Sequence, residues 1–211
     1  MAIFLCPRPS ELKSLVIPPC LEQFGQIVRL IVQRRYDDAG NKIEIDIAAN
    51  DPKALATWTA LNTAADSTKV IFSPEIGASS ITPGEPRNVG GGNATPGGET
   101  ITLGSNPSAF VGNLLQAKQS TIETLKSYCG EDLQVFFINE DGQIAGEIDD
   151  HAAKTKLSGF HIRKTWFIMD KKTGDRENLD YNGLRFEMQA NWSDKFYIFN
   201  PDFPARTLAN A

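Results

Sequence analysis

Apolar and polar positions alternate in short runs along most of the chain, which is the period of half-buried strands. Gln26–Arg35 is rich in β-branched residues, and Lys42–Ile47 alternates strictly. The turn-forming stretch 37–42 lies between them, and together the two predict a β-hairpin. Lys69–Ser73, Glu99–Leu103 and Ala109–Leu115 predict further strands. Leu133–Ile138 and Gln143–Ile148 flank Asn139-Glu-Asp-Gly142 and predict a second hairpin, with Asp141-Gly142 as its turn. In the last third, Leu157–Met169 is a long strand candidate, followed by a polar connection over 170–182. Leu184, Phe186, Met188, Ala190 and Trp192 then alternate with Arg185, Glu187, Gln189 and Asn191, giving one apolar and one wet face. Phe196–Phe199 adds a short aromatic strand.

Two segments carry helical spacing instead. Asp51-Pro52 is a cap-and-start pair, with Leu55, Trp58 and Leu61 following and an end near Asp66. Ser120 and Glu123 have the spacing of a capping box, ahead of Ile122, Leu125 and Cys129 on one face and Gly130 as the stop. The expected fold is therefore mainly β, sandwich- or barrel-like, with one or two short helices. A single domain over 1–211 accounts for the length.

Three stretches are poor in regular patterning. Residues 1–25 are punctuated by prolines yet carry Phe4 and Leu5, and read as an N-terminal arm lying on something. Residues 74–98 are crowded with Gly and Pro, and predict a long surface loop or flap of the functional or mobile kind. Residues 200–211, with Phe203 between two prolines, read as an extended C-terminal arm.

Composition narrows the function classes. Of 211 residues 41% are hydrophobic and 22% charged, enough for a core, and the net charge is -5. An acidic chain makes a poor general nucleic-acid binder, because phosphate neutralisation needs clustered Lys and Arg. Three cysteines without a CxxC form no disulfide framework, which fits a reducing cytosol. No apolar run approaches the ~20 residues that span a bilayer, so no membrane partner is expected. The apolar start meets Pro7 and Arg8 at once and does not read as a signal peptide.

Catalytic chemistry finds no pattern. The stretch Gly90–Gly98 lacks the lysine and helix of a phosphate loop. His151 and His161 have no completing ligand set. The carboxylates Glu140, Asp141, Glu147, Asp149 and Asp150 do not follow the EF-hand spacing and read as an acidic rim. No GxSxG elbow and no Cys–His signature occurs. No catalytic residue, cofactor site or metal site is assigned, and the chain is not expected to be an enzyme.

Several segments together resemble the tail tube (major tail) proteins of long-tailed bacteriophages and prophages. They are Cys20–Ile27, Trp58–Leu61, Asp66–Pro74, Pro83-Gly84, Gly90–Asn93, Gly97-Gly98, Gly104–Phe110 and the hairpin at Asn139–Gln143. The similarity spans about residues 20–150 at the level of pattern. It implies a β-sandwich or barrel-like subunit that joins its copies into a ring, usually a hexamer. Rings would stack into a hollow tube through the long loop and the arms. Glu75, Arg87, Asn88, Asn93 and Glu99 would then lie in the inter-subunit or inter-ring loop, and Phe4, Leu5 and Phe203 would make arm contacts. Glu147, Asp149, Glu187 and Gln189 are the candidates for the lumen, where an acidic wall would let DNA slide without specific binding. The implied partners are the chain itself and other phage tail proteins. The implied place is the virion tail, assembled in the bacterial host cytoplasm. The alternatives are another virion component (tail terminator, head–tail connector, capsid or decoration protein) or a carbohydrate-binding β-sandwich using Trp58, Trp166 and Trp192.

Overall fold

The computed structural model describes residues 23–175 and 179–210. In chain order the strands begin with β1 (Ile27–Arg34), β2 (Ile45–Asp46), β3 (Val70–Phe72), β4 (Ile76–Thr82), β5 (Pro86–Gly90), β6 (Thr100–Ser105) and β7 (Ser108–Leu115). They continue with β8 (Leu133–Asn139), β9 (Ile144–Ile148), β10 (Lys156–Ser158), β11 (Phe160–Ile162), β12 (Phe167–Lys172), β13 (Tyr181–Met188) and β14 (Phe196–Phe199). The helices are α1 (Leu55–Thr63) and α2 (Gln119–Lys126). The mainly-β expectation is met.

Nearly all strands belong to one antiparallel sheet in the order β2-β10-β9-β8-β11-β13-β7-β4, with β1 paired to β8 and β3. That sheet rolls back on itself. Its end strand β4 reaches the start of β1, where Ser79 Oγ donates to Ile27 O at 2.6 Å. The ring β8-β11-β13-β7-β4-β1 is thus barrel-like, with a side-chain seam in place of a ladder between β4 and β1.

Strand β8 is the centre of the fold. All of its residues are buried, as expected of a strand covered on both faces. Val135 and Phe137 point into the barrel interior, among Leu30, Phe110, Phe160, Leu184 and Phe186. Phe136 and Ile138 point the other way, into a second cluster with Ile31, Trp58, Phe72 and Phe199. Helix α2 plugs the first cluster through Ile122 and Leu125, and α1 covers the second through Trp58, whose Nε1 donates to Pro52 O at 2.8 Å.

The β8–β9 hairpin forms as its turn residues predict, with Gly142 at φ 80°. Elsewhere the structure departs from the sequence reading. The 26–47 hairpin is reduced to a bridge between Tyr36 and Lys42, and β2 pairs with β10. Both edges of β1 are already taken by β3 and β8, so no edge remains for 42–47. Asp51 caps a turn by accepting from Lys53 N at 2.9 Å, and α1 opens later, with Ala54 at its N-cap. The Ser120–Glu123 box does not form, because α2 already starts at Gln119 with Lys118 as N-cap. Cys129 lies beyond the helix and is exposed. The long strand over 157–169 is broken into β10, β11 and β12. The first break is at Gly159, where a Cβ would lie 2.8 Å from Val135 N, so only glycine lets the chain pass from β9 to β8 at this distance.

Candidate self-association surface

The stretch read as a loop over 74–98 is largely β-structure. β4 pairs with β7 along the barrel wall, and β5 pairs with β6 as a separate two-stranded ribbon. The ribbon extends the β4–β7 hairpin past a kink at Pro83-Gly84 and Asn106-Pro107. Asn106 N donates to Glu85 O at 2.9 Å at that kink. A Cβ on Gly84 would fall 1.8 Å from Asn106 O, so the two chains can approach this closely only with glycine there. Gly90, Gly91, Gly97 and Gly98 turn the tip through positive φ, conformations that L side chains avoid.

The ribbon is amphipathic. Thr102 Oγ1 donates to Asn88 Oδ1 at 2.8 Å, which places these two on one polar face. By strand alternation the other face carries Arg87, Val89, Ile101 and Leu103. Val89 is 51% and Leu103 55% exposed. A two-stranded ribbon is marginal alone in water, and this one leaves its apolar face bare.

A second bare surface lies on the outer wall of the barrel. The registers align Phe167 of β12, Arg185 of β13, Val111 of β7 and Ser80 of β4 in one row. The next row is Glu187, Ala109 and Thr82. Met169 lies over Gly183, where a Cβ would sit 2.8 Å from its Sδ. Phe167 is 56% exposed, and Val111 and Met169 are exposed beside it. Apolar side chains grouped on one sheet face, ringed by charge, are the usual mark of a contact surface. None of Val89, Leu103, Val111, Phe167 and Met169 is singled out as a contact residue by the sequence. The alternation 87/89 and 101/103 was a usable signal, hidden among glycines.

The residues expected at the site are scattered by the fold. Arg87 and Asn88 lie on β5, and Asn93 in a 3₁₀ turn at the ribbon tip. Glu99 precedes β6, with its carbonyl accepting from Thr95 Oγ1. Glu75 is exposed ahead of β4, its carbonyl accepting from Leu115 N at 3.0 Å. Four of the five therefore share the ribbon, and Glu75 stands at the root of the hairpin. Phe4 and Leu5 lie outside the described residues. Phe203 packs within its own chain against the second core cluster, and the 200–210 tail as a whole lies on its own domain. Arg29 Nη1 donates to Arg206 O and Leu208 O at 2.6 Å each.

The lumen candidates divide. Glu187 lies on the exposed β13 face beside Arg185, and Gln189 is exposed just beyond that strand. Glu147 is half-buried between Arg35 at 3.6 Å and Lys42 at 4.0 Å. The Asp149 carboxylate accepts from Thr155 Oγ1, Thr155 N and Lys156 N. Those hydrogen bonds hold it well below the usual carboxylate range and brace the β9–β10 turn. Glu147 and Asp149 thus have structural work within the subunit.

A buried polar cluster lies on the face of β8 turned away from the barrel interior. Arg35 Nη1 donates to Gln134 Oε1 at 3.1 Å and to Gly159 O at 2.9 Å. Gln134 Nε2 donates to Gln33 Oε1 and Ile43 O. His161 lies opposite Gln134 in the β8–β11 register, 3.8 Å from Asp132. Burial and the nearby Arg35 charge lower its pKa, against weaker opposing pulls from Asp132 and Gln189. A folded-state pKa below the ordinary ~6.5 means that the unfolded chain binds the proton more readily. Stability is therefore expected to be full above about pH 6.5 and to fall as pH drops from there through the folded pKa. Urea titrations across this range should show the decline, and His161→Gln should flatten it. The lowered carboxylates Glu44 and Asp170 act only at more acid pH.

Among the described residues, no group of three or more His, Cys, Asp or Glu side chains is placed to hold a metal ion. No described helix is long and apolar enough to cross a membrane. Trp58 and Trp166 are fully buried, and Trp192 is half-buried against Phe137, Phe160 and Phe196. The three do not form a sugar platform.

No protein-family model and no curated protein matches the chain. Among solved structures, one similar chain comes from the tail of an empty GTA particle, computed with helical refinement in C6 symmetry. It is 15% identical at a TM-score of 0.34, over 65% of this chain and 89% of that one. Another comes from the cryo-EM structure of the anti-feeding prophage (AFP) baseplate, 6-fold symmetrised. It is 10% identical at a TM-score of 0.33, over 89% of this chain and 100% of that one.

Proposed function

We propose that the chain is a structural subunit of a phage-type tail, one that joins its copies into rings and stacks them into a hollow tube for DNA. The observation that carries this reading is the projecting β5–β6 ribbon, whose apolar face has no partner among the described residues. A monomeric protein gains nothing from holding Val89 and Leu103 in water. A repeating assembly seats them on the next copy, and closed ring symmetry limits growth within each layer. The bare wall around Val111, Phe167 and Met169 is a second surface for such joints. The net charge of -5 suits a passage that DNA crosses without sticking. The resemblance in the sequence supports the same reading. On it, the rings are hexameric, the subunit works by assembly rather than catalysis, and it belongs to the virion tail, built in the bacterial host cytoplasm.

A tail terminator, head–tail connector, capsid or decoration protein could use the same surfaces but stop growing earlier. Sedimentation velocity at rising concentration separates the two. A tube subunit gives species that lengthen without limit, and a terminator gives one ring of fixed mass.

A further inference from the structure

The outer edge of β3 invites pairing, and the C-terminal tail covers it. β3 is Val70-Ile71-Phe72, apolar throughout. Other strands in the sheet are blunted by recognised devices. β12 ends in Lys171 and Lys172, and β4 is bulged between Gly77 and Ser80 with Ala78 at φ 48°. β3 has neither charge nor bulge, and its inner edge is fully used by β1 in the register Ile31–Phe72, Val32–Ile71, Gln33–Val70.

On the outer edge, Phe72 N donates to Asn210 Oδ1 at 2.7 Å, and Asn210 Nδ2 donates to Phe72 O at 2.8 Å. One side-chain amide thus makes both bonds that a neighbouring strand would make to Phe72. In an antiparallel ladder, alternate residues present their N–H and C=O to the same side. Val70 therefore presents its pair to the same outer edge as Phe72. The tail that delivers Asn210 is fastened by its carbonyls, Arg206 O and Leu208 O to Arg29 and Ala209 O to Asn62 at 3.1 Å. Its Ala205 is fully buried.

We propose that Asn210 is an edge guard, a side-chain mimic of a β-strand that keeps β3 from pairing with β3 of a second copy. Without it, two copies would join across a two-fold axis, β3 antiparallel to β3. That contact would differ from a ring joint and would compete with it. The guard is independent of the tail-tube reading, because it needs only a second copy and the β3 edge.

The test is Asn210→Ala in the full chain, checked by circular dichroism for native structure. Loss of one hydrogen-bond pair should speed exchange of the Phe72 amide roughly fivefold at low concentration. As concentration rises, the variant should form a dimer under conditions where the parent does not, with protection returning at Phe72. A variant that keeps the parent's mass at every concentration overturns the proposal. So does association that leaves the Phe72 amide unprotected. Absence of tubes from the parent protein would sink the tail-tube reading and leave this result unaffected.

Discussion

The double substitution Val89→Asp with Leu103→Asp should abolish tube assembly while leaving the subunit folded. Both side chains are more than half exposed on the ribbon, so exchanging them should change the stability of the free subunit by no more than about 0.5 kcal/mol each. In an assembled joint the same positions would be dry. Burying an unpaired carboxylate there costs at least about 2 kcal/mol per site, or roughly a thousandfold in the concentration needed for two sites. Light scattering of the variant beside the parent checks this, with thermal melting as the folding control. Assembly at the parent's concentration would remove the ribbon from the account. Loss of both folding and assembly would instead show that the ribbon supports the barrel.

Phe137→Ala should be the most damaging single change to the fold. Phe137 is completely buried in β8, between Phe110 at 6.0 Å, Phe160 at 5.0 Å and Trp192 at 6.0 Å between ring centroids. Truncation removes a large apolar side chain and leaves a cavity that two rings from different strands and one from the turn after β13 cannot all close. Comparable changes cost about 3–5 kcal/mol, a large share of a domain's total. Val111→Ala on the exposed wall is the contrast, expected within about 0.5 kcal/mol. Urea midpoints at unchanged slope give both values. Similar losses for the two would mean that the barrel interior is not the main source of stability.

Much of this fold was legible because its strongest signals are local. Asp141-Gly142 fixes a hairpin through two residues, and the Leu184-Phe186-Met188 alternation fixes β13. The failures have physical causes as specific. Residues 74–98 were read as loop because Gly and Pro crowd them, yet Pro86 sits at the first position of β5, where a missing N–H costs a ladder little. The capping box matched in spacing, but Ser120 falls inside the helix, where its side chain cannot cap. Lys42–Ile47 alternates well and still pairs with β10, because partner choice depends on which edges are free.

The candidate surface was less legible than the fold. Four predicted loop residues do share the ribbon, but the bare apolar side chains beside them became visible only once pairing set their faces. The Asn210–Phe72 pair spans most of the chain, and nothing near either residue announces it. Glu147 and Asp149 looked like free acid and are engaged by Arg35 and Thr155. Charge in a sequence does not reveal which carboxylates are already in use.

Negative-stain electron microscopy of the purified chain at rising concentration tests the central claim most directly. The account predicts hollow tubes of constant width and variable length. A protein that remains a monodisperse monomer at every concentration, including with preformed tail ends added as seeds, would contradict it.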